Sequence, residues 1–344
     1  MQYLPLGNTG LYVSRLCLGA MTFAEQDAPR GEVIGATGQE LADQMVRVAL
    51  DAGVNFFDTA NVYGGDGTSE RMLGKALQGH RDEAVIATKV YNTYSREINA
   101  LGASRLSVMR EVEKSLARLG TDFIDLYQVH IFDSTTPLEE TLRALDDCVR
   151  QGKVRYIGLS NFSAWQIAKA DGLARQLQTE RFCSVQAYYS LVGRELEREI
   201  LPAIRDLGLG TMIWSPLAGG FLSGKYSGGG GGEGRRKSFD FPPVDPHRGD
   251  AIIAVLRDIA DAHGVTCARV ALAWLLHQEG VTSVIVGARK QNQLEDNLAA
   301  SDLQLSDDEL ARLDEASRLT PEYPQWIRPS PRGSTLLDLL ADVS

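Results

Sequence analysis

Short runs of β-branched and apolar residues recur along the chain. After most of them, apolar positions return at the three-to-four-residue spacing of a helix face. The runs are LCLG (16–19), NFFDT (55–59), AVIATKV (84–90), FIDLYQVH (123–130), VRYIGLS (154–160), FCSVQAY (182–188), LGTMIW (209–214) and TSVIVG (282–287). Helical spacing covers 39–52, 68–78, 104–119, 137–151, 163–176, 194–207, 248–263 with 266–279, and 290–299. Start signals mark several of these segments: Thr68 before SERMLG, Ser104 ahead of a long amphipathic run, and Thr136-Pro137 with Glu139 and Glu140 in the first turn. Eight strands alternating with helices predict a parallel sheet, and the count fits an α/β fold of the closed (β/α)8 TIM-barrel type, one domain over residues 1–344. The competing open, doubly wound sheet wants a Gly-rich turn after its first strand, where LCLGAMTF has only Gly19.

Two stretches fall outside this alternation. At the start, YLPLG, Asn8-Thr9-Gly10 and LYVSRL predict a β-hairpin ahead of the barrel. After the seventh run, Ser215 to about Pro246 is too long for an ordinary strand-to-helix connection, which marks it as functional or disordered. It holds SGGGGGEG (227–234), whose match to a G-x-G-x-x-G pattern follows from low complexity and reads as a flexible lid segment.

Composition narrows the possible functions. The chain has 344 residues, 44% of them hydrophobic and a formal charge of −10, so it can bury a large core. Acidity without a basic block argues against nucleic acid as a partner. No stretch approaches the ~20 apolar residues that cross a bilayer, so no membrane partner is expected. MQYLPLGNTG does not read as a secretory signal, and the expectation is a soluble cytoplasmic protein. Cys17, Cys148, Cys183 and Cys267 lie far apart without metal-ligand spacing, and they read as isolated thiols. H-E-x-x-H and G-x-S-x-G are absent, which removes the simplest zinc-protease and serine-hydrolase readings, and no metal is expected.

In a (β/α)8 barrel, reactive groups project from the C-terminal ends of the strands, and the unusual residues here fall there. They are Asp58, with Tyr63 in the following loop, then Lys89, His130, Ser160-Asn161, Gln186, Trp214-Ser215 and Gly287-Ala288-Arg289. An apolar strand leads straight into Lys89, and a buried ammonium needs a partner; Asp58 on the adjacent strand is the nearest one. A phenol is a poor acid at neutral pH, but a neighbouring cation favours phenolate. Lys89 can supply that cation, Asp58 can hold Lys89, Tyr63 can protonate a developing alkoxide, and His130 can donate a hydrogen bond to the same oxygen. The set lacks a nucleophile with an obvious base, so carbonyl reduction needs a hydride from a nicotinamide cofactor. A Schiff-base role for Lys89 is the competing chemistry, and a carboxylate that keeps the amine protonated weighs against it.

These residues sit in stretches that resemble the aldo-keto reductase family, in particular its bacterial branch related to potassium-channel β subunits. The stretches are GVNFFDTANVYGGDGTSE (53–70), ATKV (87–90), DLYQVHIFD (125–133), GKVRYIGLSNF (152–162), WSPLAGGFLSGKY (214–226) and GARKQNQLEDNL (287–298), and the likeness runs from about Tyr3 to Trp326. The resemblance implies a catalytic tetrad of Asp58, Tyr63, Lys89 and His130. It implies that Ser160, Asn161 and Gln186 hold a nicotinamide carboxamide and that Trp214 stacks on the ring. Ser215, Leu217, Gly219, Leu222, Gly224 and Lys225 would line the pyrophosphate, and Gly287, Arg289, Gln293, Asp296 and Asn297 would surround the adenosine. Family members bind the dinucleotide across the barrel mouth without a Rossmann domain, which accounts for the missing fingerprint.

NADPH is implied over NADH by the same likeness. Arg289, Lys290 and Arg235 or Arg236 are candidates for a 2′-phosphate, although Ala288 and Gln293 stand where relatives have phosphate contacts. For the substrate pocket the candidates are Met21, Phe23, Tyr91 and Phe132, with Tyr94 nearby and the tail around Tyr323, Trp326 and Ile327 above them. An aromatic-rich pocket with a few polar groups fits a small-molecule aldehyde or ketone on an apolar body. The branch also implies an alternative, a regulatory barrel that senses NADPH with little turnover. Nothing in the pattern decides the oligomeric state.

Overall fold

In the computed structural model, residues 1–29, 31–226, 236 and 239–327 are described. The glycine-rich segment 227–234, Arg235 and the chain beyond Ile327 lie outside the described residues. Eight parallel strands close into a barrel in the order β10-β3-β4-β5-β6-β7-β8-β9. They are β3 (Leu16–Gly19), β4 (Phe56–Asp58), β5 (Val85–Val90), β6 (Ile124–Val129), β7 (Val154–Ser160), β8 (Phe182–Tyr188), β9 (Gly210–Trp214) and β10 (Ser283–Val286). Each coincides with one of the eight apolar runs.

Helices follow the strands and cover the outside: α2 (Gly38–Asp51), α3 (Thr68–Ala76), α4 (Arg105–Leu119), α5 (Leu138–Arg150), α6 (Ala164–Leu177), α7 (Ile200–Leu207), α8 (Pro246–His263), α9 (Cys267–His277) and α10 (Gln291–Leu298). A short α1 (Gly31–Ile34) sits in the first strand-to-helix connection. Their starts follow local chemistry: the Ser104 side chain accepts from the Ser107 N–H, the Thr266 side chain from that of Arg269, and the Gln166 side chain accepts from the Ser163 N–H.

Two helical features depart from the sequence pattern. The segment expected as one helix over 194–207 is a 3-10 turn at Glu195–Glu197 followed by α7 from Ile200. Pro202 explains the break, because in a helix begun at 194 it would sit in the interior and leave the Arg198 carbonyl without its donor. A further helix, α11 (Asp307–Ser317), follows the last barrel unit and packs on α8. Its capping box, Ser306 with Glu309, and its three acidic residues in the first turn were present in the sequence.

The N-terminal hairpin pairs β1 (Tyr3–Pro5) with β2 (Tyr12–Ser14). It presents Leu6 and Val13 to the barrel interior, where they pack with Cys17, Phe56, Leu126 and Met212. Gly7 makes this approach possible: its φ is +62°, and a Cβ would lie 2.5 Å from the Cys183 carbonyl oxygen and 2.6 Å from the Gly210 nitrogen. The N-terminal half of the barrel is therefore apolar and plugged, and polar inward-facing positions fall at the other end. All four cysteines are free thiols, and burial pushes that of Cys183 up to about 12. Among the described residues no single helix is long and apolar enough to cross a membrane.

Candidate active site

Side chains alternate along a strand, so the inward positions of β4, β5 and β6 lead from Phe56, Val85 and Leu126 at the plug to Asp58, Lys89 and Gln128 towards the mouth. Parallel register places Asp58 opposite Ala87 and Lys89 opposite Gln128, and Ser160 opposite Gln186 on β7 and β8. Lys89 is fully buried. Its Nζ donates to Asp58 Oδ2 at 2.6 Å and to the Thr59 carbonyl oxygen at 2.8 Å, and it lies 4.9 Å from the centroid of the Tyr63 ring. Burial alone would depress this ammonium, but the Asp58 carboxylate and the Tyr63 phenol outweigh it and carry Lys89 above its ordinary value. The pairing inferred from an apolar strand ending in lysine is thus present, with the phenol beside it.

The His130 ring meets Tyr63 edge-on at 5.8 Å between centroids. Burial, joined by the positive charge of Lys89, pushes its imidazole down to about 3, so the ring is neutral at physiological pH. Nδ1 lies 3.4 Å from the Asn92 side-chain nitrogen. A donor there requires a lone pair on Nδ1 and leaves the proton on Nε2. A neutral imidazole of this tautomer can donate a hydrogen bond to an oxygen but is a poor source of a proton. Tyr63, His130, Lys89 and Asp58 form one cluster at the mouth.

Next to it, Asn161 donates to the His130 carbonyl oxygen at 2.9 Å and accepts from Trp214 Nε1 at 3.1 Å, while its Nδ2 lies 3.0 Å from Ser160 Oγ. Gln186 Nε2 donates to Asp58 Oδ1 at 2.8 Å. Ser160, Asn161, Gln186 and Trp214 therefore abut the cluster as a group. Trp214 has Phe241 nearly parallel at 5.8 Å and Tyr188 tilted at 5.1 Å. Asn161, Ser215 and Ala218 have left-handed φ of 59°, 51° and 49°, and Gly219, Gly220 and Gly224 are left-handed too. Strained backbone gathered at one end of a barrel is typical of a ligand seat.

The more distant candidates are placed unevenly. Leu217 immediately precedes the 3-10 turn Ala218–Ser223, Leu222 lies buried within it, and Lys225 lies over the Tyr226 ring. Arg289 donates its main-chain N–H to Gln293 Oε1 and its guanidinium to the Val33 carbonyl oxygen. Asn297 reaches the carbonyl oxygen of Gly287 at 3.5 Å. Asp296 is bound to Thr266 and Arg269, at 2.5 and 2.6 Å. Arg236 is tied to the carbonyl oxygens of Ala218 and Pro242 and to Asp240, as a brace of its own loop.

Of the pocket candidates, Met21 and Tyr91 are half-buried, and Phe132 packs against Phe162 and Trp165. Phe23 is fully buried in the core with Leu16, Leu18 and Phe57, which places it among packing residues. Sequence reading did not single out Gln128, which alternation alone would have placed two residues before His130 on the inner face. Nor did it single out Asn61 or Asn92, whose loops are joined by the Asn61 side chain donating to the Asn92 carbonyl oxygen at 2.9 Å.

The sequence profile of the aldo/keto reductase family matches residues 15–318. The chain belongs to this family. It is 39% identical to the uncharacterized oxidoreductase YrpG of Bacillus subtilis, covering 95% of this chain and 100% of that protein. It is 37% identical to norsolorinic acid reductase stcV of Emericella nidulans, covering 92% and 81%. A probable voltage-gated potassium channel subunit beta from Oryza sativa is 36% identical over 88% of this chain and 92% of that one. Membership of this family, with oxidoreductases among its relatives, supports carbonyl reduction as the class of reaction.

Proposed function

We propose that the protein is an NADPH-dependent reductase that converts an aldehyde or ketone to its alcohol, with Tyr63 as general acid. The observation that carries this reading is the fully buried Lys89 ammonium held between the Asp58 carboxylate and the Tyr63 ring. An ammonium in that position favours the ionised form of the phenol, so Tyr63 releases its proton to an alkoxide more readily than it would without that charge. Asp58 keeps the amine charged and in place. His130, neutral, donates from Nε2 to the carbonyl oxygen and orients it. Water is kept from the floor of the site by the apolar lower barrel, with Leu6, Phe56 and Met212 fully buried beneath the cluster.

The residues present fit a nicotinamide cofactor. Ser160, Asn161 and Gln186 offer hydroxyl and amide groups suited to a carboxamide, and the Trp214 ring stands beside them. Leu217, Gly219, Leu222, Gly224 and Lys225 follow along the tight turn after β9, and Gly287, Arg289, Gln293 and Asn297 lie at the end of β10 and on α10. When bound, the cofactor supplies the hydride. Arg289 would meet a 2′-phosphate; Asp296, committed to Arg269, would act on that end through α9.

The test is a panel of aromatic and aliphatic aldehydes and ketones, each offered with NADPH and with NADH. Turnover with NADPH preferred supports the proposal. Tight binding of NADPH without turnover on any member would favour a sensing barrel instead, the reading to which likeness with the rice channel subunit points.

A further inference from the structure

Asp58 accepts on both carboxylate oxygens. Oδ2 holds Lys89, and Oδ1 receives Gln186 Nε2 at 2.8 Å and Gln128 Nε2 at 3.3 Å. Paired with an ammonium, this carboxylate has no proton to give, so both glutamines must turn their NH2 groups towards it. Gln128 then has Oε1 on its other side, and that atom accepts from Gln186 Nε2 at 3.3 Å. Both hydrogens of the Gln186 amide are thereby engaged, and Oε1 is what its side chain has left to offer. Gln128 is fully buried, and the fold makes room for it: a Cβ on Gly158 of β7 would lie 3.1 Å from Gln128 Cγ and 2.8 Å from Ser184 Oγ.

We propose that Gln128 is a positioning residue that, with Asp58, locks the Gln186 amide with Oε1 outward, so that the site reads the NH2 of a carboxamide on its ligand. This rests on the nicotinamide reading above. It means that the ion pair beside Tyr63 and the seat of the cofactor ring share one hydrogen-bonded unit, and that ring recognition is selective for an amide hydrogen donor. Ser160 and Asn161 can also meet the carboxamide, so the diagnostic quantity is how the selectivity changes when Gln128 is altered.

The experiment is calorimetric binding of NADP+ and of its acetylpyridine analogue, in which a methyl ketone replaces the carboxamide, to the full-length protein without substrate. The wild type should prefer NADP+ by about fivefold or more, the loss expected for one hydrogen bond. In Gln128→Met, Gln186 keeps its bond to Asp58 but loses its second acceptor, so its amide is held through one hydrogen instead of two and the preference should fall by about twofold or more. Gln128→Glu, neutral when protonated beside Asp58, keeps both a donor and an acceptor and should restore it. Thermal melts verify folding; if Gln128→Met does not fold, Gly158→Ala crowds Gln128 from the neighbouring strand and serves in its place. A wild type that binds both ligands equally, or a preference that survives Gln128→Met and Gly158→Ala unchanged, overturns the inference. A wild type that binds neither ligand removes the nicotinamide reading and this inference with it.

Discussion

Replacing Lys89 with methionine keeps most of the side-chain volume and removes only the charge, so it separates electrostatics from packing. The lost contacts are an ion pair of 2.6 Å and a hydrogen bond of 2.8 Å, both fully buried. Breaking a buried pair from one side strands the other charge, at a cost of about 3–5 kcal/mol. A cation 4.9 Å from the Tyr63 ring also contributes, at an effective dielectric constant near 20, about 3 kcal/mol to the ionised phenol, which corresponds to a hundredfold or more in rate. Lys89→Met should therefore lower both the urea midpoint and kcat, the latter by about two orders of magnitude. Adding Asp58→Asn should recover most of the stability, since the stranded charge is gone, but none of the turnover. The assays are urea unfolding and cofactor oxidation on an aldehyde that the wild type reduces. If the double variant regains kcat together with stability, Lys89 acts as a structural ion-pair partner and the argument from charge is wrong.

Three further outcomes follow from the geometry. His130, held at about 3 when folded against about 6.5 when unfolded, takes up its proton only on unfolding, so stability falls as pH drops through 6.5 towards 3. His130→Leu should flatten that part of the profile of urea midpoint against pH, and equal slopes in both proteins would reject the assignment. Asp133 shows linkage of the same sign over a lower pH range. Desolvation raises its carboxyl, but hydrogen bonds from Ala103 N–H, Thr135 and Thr136 prevail and bring it down to about 2, so its contribution is present above about 4 and is lost as pH falls towards 2. Asp133→Ala should cost about 2–3 kcal/mol at neutral pH and speed hydrogen exchange at Ala103. Gly7→Ala puts a methyl group against two backbone atoms at a left-handed residue, and should lower the melting temperature by at least about 5 °C without changing kcat.

Most of the barrel was legible because each strand is a short apolar run bounded by turn residues, and parallel strands buried on both faces must read that way. The Asp58–Lys89 pair was legible for the opposite reason: both are charges that interrupt those runs at their C-terminal ends. What escaped the sequence was everything set by neighbours distant in the chain. Gln128 looks like an ordinary polar strand residue until the barrel closes and sets it between Asp58 and Gln186, 70 and 58 positions away. Phe23 looks like a pocket aromatic because its loop leads to the mouth, yet the chain turns it into the core. Arg236 could be imagined reaching a phosphate, whereas the loop uses it to satisfy its own carbonyls. Helix α11 was missed although its capping box is visible, because strand-helix alternation gives no place to a helix that follows the last barrel unit.

The assignment of Tyr63 as proton donor is best examined with Tyr63→Phe, which keeps the ring against His130 and over Lys89 and removes one oxygen. Binding of NADPH, measured by fluorescence, should stay within about twofold of wild type, while kcat for an aldehyde falls by about a hundredfold to ten-thousandfold. A variant that turns over at the wild-type rate would contradict the account, and so would one that loses cofactor affinity in proportion to its activity.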